Sequence, residues 1–169
     1  MPMPQSRAKP RRAAPAMEPL EPRLLLDGSL LISEFMASNE TTLADAQGEY
    51  CDWIEIYNPT ASAVDLTGWH LTDNSGNLNK WQFPAGVTIG AGRYLVVFAS
   101  GKDTTFLVGD NPQYHTNFKL DAGGEYLALV ASDGSTVIHA YAPKYPKQVE
   151  DVSYGIGQVQ VMQTLIAAG

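Results

Sequence analysis

The strongest constraint on this chain is the rhythm of its apolar residues. Between residues 30 and 157 they come in short runs, each bounded by Gly, Asn, Asp or Pro. Those are the turn-forming residues. No window of helical length carries a 3.6-residue apolar period without a Gly or Pro breaking it. The pattern predicts an all-β fold, a sandwich or barrel of many short strands. The runs place about nine strands, at residues 30–37, 52–57, 63–71, 80–83, 93–98, 116–120, 126–130, 137–141 and 152–154. Turn signals separate them, among them Asn58-Pro59, Asp73-Asn74-Ser75-Gly76, Pro84-Ala85-Gly86, Gly90-Ala91-Gly92, Ala122-Gly123-Gly124 and Asp133-Gly134.

Two runs carry more detail. In residues 52–57 strict alternation puts Ile54 and Ile56 on one face and Trp53, Glu55 and Tyr57 on the other, the mark of a half-buried strand. Residues 94–98, Tyr-Leu-Val-Val-Phe, are apolar on both faces, which suits a central strand covered on each side. Asp133-Gly134 between two apolar runs predicts a hairpin. Gly68 before Trp69 suits a bulge or a close backbone approach. Trp53, Trp69 and Trp81 fall on three predicted strands and are expected to anchor the core, with an aromatic binding platform as the alternative.

Residues 1–29 are different in kind. They hold six of the 11 prolines, at 2, 4, 10, 15, 19 and 22, and proline both lacks an N–H and biases its predecessor away from helix. A disordered proline-rich arm is expected. Its basic start suits a secretory signal, but Leu24-Leu25-Leu26 is far shorter than the apolar stretch such a signal needs, about 7–15 residues. Arg11-Arg12 is followed by Ala-Ala-Pro-Ala-Met-Glu-Pro, which is no membrane-inserting segment. No apolar run approaches the roughly 20 residues that span a bilayer. The net charge of −7 divides unevenly, +3 over residues 1–26 and −10 over residues 27–169. A domain that acidic repels phosphate, so nucleic acid is disfavoured as its partner.

No catalytic constellation emerges. His70, His115 and His139 lie 45 and 24 residues apart, which matches no compact metal-ligand motif. Cys51, the single cysteine, has no histidine at a catalytic spacing and reads as a small, partly buried residue. There is no Gly-x-Ser-x-Gly elbow and no phosphate-cradling loop. Asp73-Asn74-Ser75-Gly76-Asn77 and Asp103…Asp110-Asn111 are rich in hard oxygen ligands, but neither has the spacing of a calcium loop. Glu34 and Glu55 are carboxylates on predicted strands, as a glycosidase pair would need, but no sugar-stacking pattern accompanies them. The expectation is no catalytic residues, no metal and no cofactor, with the ligand-binding residues unknown.

Ordered motifs add a resemblance. Residues 31–39 (LISEFMASN), 52–59 (DWIEIYNP), 64–73 (VDLTGWHLTD), 81–86 (WQFPAG), 91–99 (AGRYLVVFA), 117–120 (NFKL) and 124–129 (GEYLAL) follow one another over most of residues 30–140. They resemble the lamin tail domain, found in nuclear lamins and in many bacterial extracellular proteins. The resemblance implies an immunoglobulin-like β-sandwich, with Glu34 and Glu55 belonging to the fold pattern. Ahead of it, Leu20-Glu21-Pro22-Arg23-Leu24-Leu25-Leu26 resembles the LEPR-x-LL motif at the N-terminus of large bacterial surface or secreted proteins. That implies a sorting or processing role for Leu20, Glu21, Pro22, Arg23, Leu25 and Leu26. The alternative is an arm whose leucines pack on the domain edge.

The expected organisation is an arm at 1–29, a sandwich at 30–157, and a linker or the start of a truncated following module at 158–169. The expected function is that of a non-catalytic structural or binding module of a large bacterial secreted or cell-surface protein. It would be extracellular or on the cell surface and act by recognising protein or a cell-envelope glycan through loops and an exposed sheet edge. Alternatives are an accessory module targeting an absent enzyme domain (a nuclease, phosphatase or kinase-like domain) and, less favoured, a nucleic-acid binder.

Overall fold

The computed structural model describes residues 29–156. The LEPR-x-LL-like stretch, the rest of the arm up to residue 28 and the segment from 157 onward lie outside the described residues. Twelve strands form where about nine were expected: β1 Leu31–Met36, β2 Asp52–Tyr57, β3 Val64–Asp65, β4 His70–Thr72, β5 Trp81–Gln82, β6 Thr88–Ile89, β7 Tyr94–Ala99, β8 Thr104–Val108, β9 Asn111–His115, β10 Leu127–Val130, β11 Val137–Tyr141 and β12 Tyr154–Gly155. They build a six-stranded sheet in the order β12-β1-β2-β7-β9-β8, a four-stranded sheet β11-β10-β4-β5 and a small β3-β6 pair. The architecture is an all-β, immunoglobulin-like sandwich. No described residue is helical, so no described helix is long and apolar enough to cross a membrane.

Side-chain alternation makes the two layers. Ile32, Phe35, Ile54, Ile56 and Val97 point inward from the large sheet and meet Leu71, Trp81, Leu127 and Leu129 of the smaller one in a single apolar cluster. A bulge keeps β1 in phase: the register shifts between Ile32 and Glu34, so Ser33 is the extra residue and both Ile32 and Phe35 stay in the core. Leu66, Val87 and Ile89 belong to the same cluster at the β3-β6 end. Asn58 links that end to β2: its fully buried amide donates to the carbonyls of Ser62, Ile89 and Gly90 at 2.9, 2.9 and 3.1 Å.

The differences from the sequence pattern have local causes. The single strand expected at 63–71 is two strands in different sheets, because the chain turns at Leu66-Thr67-Gly68-Trp69. There the Trp69 N–H donates to Leu66 O at 2.9 Å and Gly68 adopts φ +78°. Glycine suits Gly68 for that positive φ, since a side chain there would meet its neighbours at an ordinary 3.6 Å. Residues 116–120 form no strand, only an isolated bridge from Lys119 to Ser100. Thr116 turns that segment inward, its hydroxyl donating to Phe118 O at 2.6 Å. The predicted strand at 152–154 is the two-residue β12, shifted to Tyr154–Gly155. Of the three tryptophans, Trp81 lies in the core and Trp69 packs against it, whereas Trp53 belongs to a second cluster on the outer face.

The β8–β9 hairpin was not expected at all. β7 leads out to β8 at the sheet edge, and β9 returns to lie parallel to β7, pairing Val97 with Tyr114 and Phe98 with His115. Pro112 argues against a strand in sequence. It sits one residue from the turn, opposite Leu107.

Candidate functional site

The outer face of the large sheet carries the unusual chemistry. Met36, Trp53 and Phe98 align across β1, β2 and β7, and His115 of β9 continues the row. The first three form the second apolar cluster with Cys51 and Val96 packed against them. An outer sheet face is ordinarily solvated, so this cluster needs a cover. The β1–β2 loop, residues 37–51, is tied across it. Asn39 donates to Leu43 O and Cys51 O, both at 2.7 Å. The Ala46 N–H reaches Gln113 Oε1 of β9 at 2.7 Å.

A buried carboxylate locks this loop. Asp45, whose side chain is wholly buried, accepts the Gln47 and Glu49 N–H groups at 2.9 Å each and Lys102 Nζ at 2.6 Å. Lys102 also pairs with Glu49 at 2.7 Å. Burial by itself raises the Asp45 pKa, but Lys102 and the two backbone donors outweigh it and hold the carboxyl below its ordinary value. Asp45, Glu49 and Cys51 bring one ligand atom each within 4.8 Å of one another, the spacing of a metal site. The Lys102 ammonium already stands against both carboxylates, and burial pushes the Cys51 thiol up, away from the thiolate that binds metal. The lysine fills the role a cation would have.

Beside this lock, Ser100 Oγ and His115 Nδ1 lie 2.9 Å apart. The imidazole is fully buried, stacked 5.1 Å from Phe98 and edge-on 4.9 Å from Phe106. Burial, reinforced by Lys102, holds its pKa below the ordinary histidine value, so it is neutral at pH 7. A serine nucleophile needs its histidine oriented by a carboxylate on the other ring nitrogen, and His115 Nε2 has no hydrogen-bond partner among the described residues. Ser100 is itself only 6% exposed. The pair is a packing unit, not a dyad set for acyl transfer. It borders an open cleft of about 260 Å³ lined by Asn39, Tyr50, Cys51, Asp52, Ser100 and Lys119. Burial raises the Asp52 carboxyl there, against the Leu120 and Asn39 backbone donors. Such a cleft can hold a polar group by hydrogen bonds, but it presents no activated nucleophile.

The other residues singled out in the sequence do not converge. His70 stands on β4 and His139 on β11, in the smaller sheet, while His115 is in the larger. No histidine joins a three-ligand group among the described residues. His139 Nδ1 accepts the Ile32 N–H at 3.4 Å and helps close the sandwich side. Asp73 is occupied by Lys80, whose Nζ reaches both carboxylate oxygens at 2.6 and 2.7 Å. Asp103 precedes β8 and Asp110 follows it beyond Gly109, so the five-residue strand holds them roughly 20 Å apart. Glu34 and Glu55 are directly cross-strand on the open outer face. Ser33 donates to Glu55 at 2.7 Å, and Ser153 donates to Glu34.

Sequence reasoning missed Asp45, Glu49 and Lys102, whose link spans 57 residues of chain, and it missed β8. That strand ends the sheet order, so one backbone edge is unpaired among the described residues. It carries no charge, and Leu107 and Val108 on it are 72% and 46% exposed. The Thr-Thr-Phe-Leu-Val run before Gly109-Asp110 was the available signal. A family model described as Lamin Tail Domain matches residues 27–144. No curated protein matches the chain.

Proposed function

We propose, on the premise that this chain belongs to the lamin tail domain family, that it is a recognition module of a large bacterial secreted or cell-surface protein and binds an extended protein segment along β8. The lamin tail domain is generally a non-catalytic module. The observation that carries the reading is the edge of β8 that no described strand pairs, uncharged and with Leu107 exposed. Natural sheets usually blunt such an edge with lysine, proline or a covering loop. Left open, it offers backbone donors and acceptors to an added strand, with side-chain contacts supplying specificity. The −10 charge of residues 27–169 favours neutral or basic partners over acidic ones. In this reading the Leu20–Leu26 stretch serves sorting to the envelope, and its replacement by alanines is expected to stop export of a fusion.

The test is a pair of arrays, one of extended uncharged and basic peptides and one of cell-envelope glycans, probed with the full chain and with Leu107→Lys. The expected result is peptide binding that falls at least tenfold in the variant, an edge charge being enough to block strand addition. Binding to glycans alone, or peptide binding that survives the substitution, overturns the edge reading.

A further inference from the structure

Among the described residues the outer face of the large sheet is unevenly covered, with Leu31 buried at 6% exposure and Tyr94 half exposed at 49%. The 37–51 loop lies over the Met36–Trp53–Phe98 row. At the other end, Leu31, Tyr57 and Tyr94 form a row across β1, β2 and β7. The two tyrosine rings stack at 4.5 Å and 25°, and Tyr94 is 49% exposed. Between the two ends stands the cross-strand pair Glu34 and Glu55. Like charges directly opposite each other destabilise a strand pair. The hydroxyls that donate to them are neutral, and no described Lys or Arg lies within 4.0 Å of either. This end of the face therefore combines an aromatic surface with two carboxylates that no described cation answers.

The chain supplies a complement next to it. Residues 1–26 carry +3, and Arg23 immediately precedes Leu24-Leu25-Leu26. The arm enters the sandwich at Leu31, a member of the tyrosine row itself. An extended chain covers about 3.3 Å per residue, so Leu26 reaches roughly 16 Å from Leu31 and Arg23 roughly 26 Å. Tyr94 lies two strand spacings from β1, about 10 Å. Folding back from Leu31, the arm meets its leucines first and its arginine second. The face, read inward from that end, presents the tyrosines first and the carboxylates second.

We propose that residues 23–26 dock back onto this face, the leucines on the Tyr57–Tyr94 pair and the Arg23 guanidinium against Glu34 and Glu55. The docked arm covers the exposed part of the Tyr57–Tyr94 pair, and it places a guanidinium beside two carboxylates, the geometry that suits arginine. The LEPR-x-LL-like stretch is then held against the folded sandwich, which ties its presentation to the folding of the domain. This docking does not depend on partner binding at β8.

Hydroxyl-radical footprinting of the full chain tests it, with an internal reference. Tyr50 and Tyr94 are both 49% exposed, so without docking they oxidise at similar rates. Docking predicts that Tyr94 oxidises several-fold more slowly than Tyr50. The triple variant Leu24→Ser, Leu25→Ser, Leu26→Ser restores the Tyr94 rate, and Arg23→Glu restores it in part. Trp81, buried in the core, stays protected throughout and reports that the sandwich remains folded. Tenfold dilution leaves the pattern unchanged. Equal rates for the two tyrosines in the parent chain overturn the proposal. So does Tyr94 protection that ignores the leucine substitutions, or protection that disappears on dilution and thereby assigns the contact to a second copy.

Discussion

At the scale of single residues, this sandwich is pinned by a few buried polar groups that bridge distant loops. Asn58 satisfies three carbonyls around the β3-β6 end and accepts the Thr60 N–H at 2.9 Å. Asn58→Ala leaves those groups without their partner and is expected to cost roughly 2–4 kcal/mol, read as a lower urea midpoint at unchanged m-value. Lys102→Met strands the buried Asp45 charge, at a cost of roughly 1–3 kcal/mol. Adding Asp45→Asn should return part of that loss, because the uncompensated charge is then gone. His115 gives a pH signature. Its native pKa is depressed by burial first and by Lys102 next, so the unfolded chain takes up a proton near pH 6.5 that the native state refuses. Stability therefore falls as pH drops below about 6.5 and levels off once the native value is passed. His139, also depressed by burial, acts in the same direction. His115→Asn should remove part of the loss in urea midpoint between pH 7 and pH 5. An unchanged pH slope would show that the imidazole is not held neutral.

At the scale of elements, the large sheet is graded from centre to edge. β2 and β7 are paired on both sides and bury Ile54, Ile56 and Val97 completely. β8 is paired on one side and largely exposed. Native-state hydrogen exchange should follow that grading, with β8 amides exchanging through local opening and β2 amides only through global unfolding. Equal protection in the isolated chain would mean that the β8 edge is already covered. The turn before β10 is a rigid element. Gly124 has φ +96°, and an added Cβ would lie 2.3 Å from the Tyr145 carbonyl oxygen. Gly124→Ala should destabilise by several kcal/mol, since both backbone strain and a backbone clash oppose it. At Asp133-Gly134 the β10–β11 turn forms as its dipeptide predicts, and the Thr136 hydroxyl, with the Thr136 and Ser135 N–H groups, pulls the Asp133 pKa down to about 2.

At the scale of the whole molecule, charge and topology set different properties. The −10 of residues 27–169 repels itself and is answered by few ion pairs: among the described residues, Lys80 with Asp73 and Lys102 with Asp45 and Glu49. Raising the salt concentration at neutral pH should therefore raise the melting temperature, as screening relieves the repulsion. Alternation and turn chemistry are local, so they were enough to place β2 at its observed bounds, to put Ile54 and Ile56 in the core, to find the β10–β11 hairpin and to assign the all-β class. The seven ordered motifs were enough to name the family. Which sheet each strand joins was not legible. β3 and β4 look like one strand until the turn at Gly68 sends them to different sheets, and the β8–β9 hairpin joins the large sheet only through the parallel pairing of β9 with β7. The outer cluster was hidden for the same reason. Alternation puts Trp53 on the face opposite Ile54 and Ile56, but only the loop locked by Asp45 and Lys102 decides that it is buried there. Sequence alone determined the all-β class and segments such as 52–57 and the 126–141 hairpin, because period and turn propensity act between near neighbours. Tertiary structure alone decided which edge stays open and which carboxylates meet a cation, because those outcomes depend on groups that the chain brings together from far apart.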